Sequence, residues 1–89
     1  MDKHILKRAI DKWGDQTQIK KLQEECLELA LVINQMECPT KPCLAEQFID
    51  ELADVKIMMA QAEMIVGSSE IDKRVEYKLK RLADKYFND

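Results

Sequence analysis

Glycine and proline are scarce, two of each in 89 residues, and aromatic side chains make up only 6%. So few turn formers argue against a β-sandwich, and a 46% hydrophobic share argues against a disordered tail. Basic residues are not in excess: 14 Lys and Arg stand against 17 Asp and Glu, a net charge of −3. A nucleic-acid binder needs a basic face, so nucleic acid is not an expected partner. No apolar run approaches the roughly eighteen residues of a membrane span, and Met-Asp-Lys-His opens no secretory signal. Histidine occurs once, as His4, with no partner motif. Thiol catalysis therefore has no Cys–His constellation to rest on. Three cysteines without a secretory signal point to reduced thiols in the cytoplasm. Cys38 and Cys43 make neither an expected disulfide nor, lacking a second pair, a zinc site.

What the sequence does have is helical periodicity. A short first helix is expected over Lys3 to Trp13, interrupted by Gly14, with Asp15, Gln16 and Thr17 offering capping oxygens to the next. From Thr17 to Met36 the residues Ile19, Leu22, Cys26, Leu29, Ile33 and Met36 recur at three- and four-residue steps and predict one buried stripe. Two prolines three apart in Cys38-Pro39-Thr40-Lys41-Pro42-Cys43 require a turn. A third helix follows from Leu44 to Val66, with Leu44, Phe48, Leu52, Val55, Met59, Ala62 and Val66 as its stripe. Gly67 stops it, and Ser69 can cap a fourth helix from Glu70 to Phe87, whose apolar side is Ile71, Val75, Leu79, Leu82 and Tyr86. The expected fold is all-α and single-domain: a small bundle of two long antiparallel helices with shorter flanking ones, completed by oligomerisation because so short a chain leaves apolar surface wet.

On a wheel of about 100° per residue, Glu25 and Glu28 border the apolar stripe of the second helix, with Lys21 in the same polar band. On the third helix Asp54, Met58, Gln47 and Gln61 lie on one side of Glu51, and Val55, Phe48 and Ala62 on the other. Each long helix thus carries an acidic pair three residues apart beside its core-facing stripe. Carboxylates converging there repel one another and lose hydration, which calls for a positive partner. Oxygen-only ligands suit magnesium or manganese rather than zinc. Spacing alone weighs this metal site evenly against a solvated acidic rim.

Glu24-Glu25-Cys26-Leu27-Glu28 followed by Glu51-Leu52-Ala53-Asp54 resembles the EExxE…ExxD pattern of MazG-like all-α nucleoside triphosphate pyrophosphohydrolases. Trp13-Gly14 with Gln18, Ile57 to Gln61, and Lys78 to Leu82 are similar to the family's flanks, so the likeness runs from Ile10 to Leu82. It implies cleavage of a nucleoside triphosphate between the α- and β-phosphates by a metal-activated water. It also implies Glu25, Glu28, Glu51 and Asp54 as magnesium ligands and catalytic residues, and a homodimer or a tetramer built of dimers. Phosphoribosyl-ATP pyrophosphatase shares the acidic core, and a non-catalytic helical interaction module could keep the fold. Glu24, within the motif, faces away from the seam on the wheel and is not counted as a ligand.

The other candidate substrate contacts each have two readings. Lys21 is a phosphate contact or an ion-pair partner of Glu25. Lys78 and Arg81 resemble the family's grip on the outer phosphates, or form a solvated basic face. Gln61 hydrogen-bonds substrate or satisfies a ligand. Trp13 stacks on a base or, more commonly for a lone Trp in a small bundle, plugs the core. Met36, Met58, Met59 and Met64 read as filler of the core or of an interface, and Cys26 as a buried small hydrophobe.

Overall fold

The computed structural model describes residues 1–37 and 45–87. The expected Pro-rich turn, its two cysteines and Leu44 lie outside them. Four helices run in order: α1 (Lys3–Trp13), α2 (Asp15–Met36), α3 (Ala45–Val66) and α4 (Ser68–Tyr86). The all-α expectation holds, with boundaries within two residues of those read from the sequence.

Local chemistry sets the ends. Asp2 caps α1, its Oδ1 accepting from the backbone N–H groups of His4 at 2.9 Å and Ile5 at 3.3 Å. Gly14 and Gly67 join consecutive helices without loops, at φ values of 90° and 91°. An L side chain is strained at such angles, so only glycine turns the chain this sharply. Each closes the helix behind it by donating its N–H over 2.8 Å, Gly14 to the Ile10 carbonyl and Gly67 to that of Glu63. These glycines replace the expected side-chain caps. Neither α2 nor α4 has one, because each helix starts directly after its glycine.

α2 and α3 form the central hairpin, and α1 packs on both. Gln18 of α2 meets the Met58–Gln61 turn of α3, while Glu25 meets Glu51 and Asp54. Stepping forward along one helix steps back along the other, so the two are antiparallel. The seam is not where the apolar stripe placed it. Gln18 and Val32 are buried, and Leu22, Glu25 and Leu29 half-buried, whereas Cys26, Ile19, Ile33 and Met36 are exposed. The buried side of α2 is turned roughly 40° from the Leu22 direction toward Glu25. α1 lies over the Gln18 and Gln61 end of the hairpin. On α3 the core residues are Val55, Met58 and Gln61, while Leu52, Met59 and Val66 face out. Trp13 is 54% exposed and plugs nothing.

α4 packs only on α3 and buries no residue. Val75, Leu79, Leu82 and Tyr86 all lie open. The radius of gyration is 16.4 Å, where a compact chain of this length would have roughly 12 Å. Likewise the accessible surface of 7496 Å² exceeds the roughly 5,400 Å² expected of a compact 10.4-kDa protein.

Leu6 is the residue by which α1 is anchored. Leu6→Ala should cost about 2–3 kcal/mol in urea unfolding. Its exposed neighbour Ile5→Ala should stay within about 0.5 kcal/mol.

Candidate metal centre and adjoining cleft

The acidic residues are assembled by helix geometry alone. On α3, Glu51 and Asp54 sit one turn apart and point toward the seam. On α2, Glu25 meets them from the facing helix, its side chain only 15% exposed. Each of the three offers a carboxylate oxygen, and these atoms lie within 4.8 Å of one another. Glu28 stands outside this close set, exposed on the next turn of α2, so the expected quartet is a trio with a fourth acid nearby.

Burial and repulsion both act on Glu51. Its carboxyl is pushed above the ordinary carboxylate range, first by desolvation and then by the charges of Glu25, Asp54, Glu28 and Asp50. Its Oε2 is buried and has no hydrogen-bond partner. Every charge acting on it among the described residues is negative, and no described lysine or arginine relieves it. Lys21 is the nearest cation in the neighbourhood. Its Nζ lies 3.6 Å from Glu25 Oε1 and 3.9 Å from Glu24 Oε2, half in solvent, where an ion pair contributes little.

An all-oxygen donor set with a buried, unsatisfied oxygen fits a small hard dication. Glu25, Glu51 and Asp54 are the residues that could hold it, with Glu28 one turn away to reach a ligand water. Cys26 is an exposed free thiol next to this set and offers a softer donor than such an ion takes.

A cleft of about 660 Å³ opens under α1; Lys21 and Glu24 line it, and the Glu25, Glu51 and Asp54 set lies outside its lining. Trp13, Thr17, Gln18, Lys21, Met58 and Gln61 are among its walls. The sequence-expected contacts Lys21, Gln61 and Trp13 are thus brought together. Lys78 and Arg81 are not: α4 touches neither α2 nor α1, and Arg81 lines a separate shallow depression with Tyr77 and Lys85. Sequence reasoning undervalued Gln18, which is 7% exposed on the seam. Its signals in the sequence are its place in the flank before the first acidic motif and a polar residue one turn before Leu22 on the apolar side of the wheel.

Comparison with protein-family models, with curated proteins and with solved structures found no match to this chain.

The raised Glu51 titration fixes a sign. In the metal-free chain the stability tied to this group is present at acid pH and is lost as pH rises through its folded-state titration. Glu51→Gln should therefore melt above wild type without metal, by a margin that grows from acid to neutral pH. Magnesium should raise the wild-type melting temperature by several degrees at neutral pH and leave Glu51→Gln unmoved. Thermal melts across pH, with magnesium and with chelator, check both.

Proposed function

We propose that the chain is a magnesium-dependent nucleoside triphosphate pyrophosphohydrolase, releasing a nucleoside monophosphate and pyrophosphate. The observation that supports it most is the Glu51 carboxylate, half-buried among acids with an oxygen left unpartnered. The resemblance of both acidic pairs to the MazG-like pattern supplies the reaction. Glu25, Glu51 and Asp54 would hold the ion, which when bound offsets the triphosphate charge and acidifies a water. In the reaction the water oxygen bonds to the α-phosphorus, the bridging P–O bond breaks, and pyrophosphate leaves with the electron pair. The water's proton would pass to a carboxylate at the edge of the set, and Glu28, outside the close trio, suits this because it need not hold the ion. Lys21 would exchange its exposed ion pairs with Glu24 and Glu25 for a phosphate oxygen. A cytoplasmic setting accords with the free, exposed Cys26.

The working form in this reading is a homodimer, or a tetramer of such dimers. The surplus accessible surface is roughly 2,000 Å², the scale of a stable subunit interface. The bare apolar side of the hairpin and the open apolar side of α4 supply it. α4 also carries Lys73, Arg74, Lys78, Lys80 and Arg81. Delivered by a second copy, Lys78 and Arg81 could meet the triphosphate, which they cannot do within one chain.

Pyrophosphate release from a nucleotide panel should require magnesium, and Asp54→Asn or Glu51→Gln should lower kcat/KM at least ~100-fold. Turnover intact in both variants would mean that the acids hold no catalytic ion. Release from phosphoribosyl-ATP alone would favour the phosphoribosyl-ATP pyrophosphatase reading, and no release from any nucleotide would favour a binding module. Light scattering should give at least a dimer, and Leu79→Asp should yield a monomer with turnover lost alongside.

A further inference from the structure

Gln61 is the most buried polar residue described, 4% exposed, and its Oε1 has no hydrogen-bond partner. A carboxamide oxygen in that position forfeits hydration for nothing unless a ligand supplies a donor. Gln18 is buried to nearly the same degree on the facing helix and lines the same cleft. Two buried carboxamides on the two core helices, both bordering one cleft, are the least economical way to fill a seam that Leu or Met would close. They are also a compact means of reading an edge that carries a donor beside an acceptor, since each amide offers one of both.

The cleft has the dimensions of a small-molecule site. Near the carboxamides its walls are Met58, Ala9 and the half-open indole of Trp13, flat and apolar enough for a heteroaromatic ring. At its other end Lys21 reaches Glu25. Gln18 precedes Glu25 by seven residues and Gln61 follows Asp54 by seven, so the carboxamides lie about two turns, ~10 Å, from the acids along both helices. A ring at one end and a metal-bound phosphate at the other match a nucleotide laid along the seam.

We propose that Gln61, together with Gln18, determines base specificity, and that the two carboxamides select bases whose Watson–Crick edge sets an exocyclic amine next to a ring-nitrogen acceptor, adenine and cytosine, whereas guanine sets its amine there beside a ring N–H. This rests on the nucleotide reading of the site. The unsatisfied atom is an acceptor, and an exocyclic amine brings two N–H groups, one for each glutamine. The adjoining ring nitrogen accepts from a carboxamide N–H, the bidentate fit that Gln makes with adenine elsewhere. Uracil and thymine present an oxygen where the amine would be and leave Gln61 Oε1 with at most one shared donor.

The test compares kcat/KM for the adenine, cytosine, uracil and thymine deoxynucleoside triphosphates in wild type, Gln61→Met and Gln18→Met. It is paired with quenching of Trp13 emission by adenosine and by uridine, which carry no phosphate. Trp13 is the only tryptophan and borders both this cleft and a second depression on α1, so the dependence on Gln61 is what assigns its signal to the cleft. The expected result is a tenfold or greater preference for adenine and cytosine that shrinks to threefold or less in either variant. Quenching by adenosine should be lost in parallel. Each glutamine variant tests the assignment independently should the other not fold. Hydrolysis with the same base preference in all three proteins, or a wild-type preference for uracil or thymine, overturns the inference and leaves the reaction standing. No hydrolysis, but Gln61-dependent quenching by adenosine, retires the reaction and keeps the base-reading cleft. Neither hydrolysis nor quenching overturns both.

Discussion

Three carboxylates on two helices that must pack together set the terms for the rest of this structure. α2 and α3 form the most extensive helix pair among the described residues, yet Glu25, Glu51 and Asp54 bring their oxygens within 4.8 Å along the same seam. Mutual repulsion and lost hydration both oppose that arrangement, and they converge on Glu51. A half-exposed lysine paired at 3.6 Å with Glu25 does not balance it. The hairpin is therefore built around an electrostatic debt that a divalent cation would remove. Its position follows, because an ion held between the two helices also fastens them.

Much of this is visible in the sequence because helices convert spacing into direction. Glu51 and Asp54 three apart, beside Val55, locate an acidic pair at the edge of the stripe, and the structure finds them there. Gly14 and Gly67 mark the helix junctions for the same local reason, a backbone angle that other residues avoid. Where the reading failed, the cause was non-local. Cys26, Ile19 and Ile33 form a good apolar stripe, but which side of α2 is covered depends on which helices dock on it, and periodicity carries no information on that. In the structure Gln18 and Gln61 are buried and Cys26 lies outside. Trp13, at the end of α1, ends up on the rim of a cleft rather than in the interior.

The same asymmetry explains the unfinished look of the chain. One side of the hairpin is closed by α1; the other side, and the whole of α4, present aliphatic side chains to water. A short chain of four helices cannot both enclose a cleft and cover every apolar face. In the proposed reading a second copy would cover these faces, and the basic residues of α4 would give it something to contribute beyond burial. Fold, cleft and assembly are in this sense one problem, posed by the small number of residues available.

The central claim, that Glu25, Glu51 and Asp54 form a cation site, is tested most directly by locating the ion. Crystals grown with manganese should show an anomalous scattering peak between these three carboxylates, bonded to oxygen from both helices and absent in Glu51→Gln crystals. A wild-type structure at millimolar manganese with no peak there, and Lys21 or another side chain turned in to satisfy Glu51 Oε2, would contradict it.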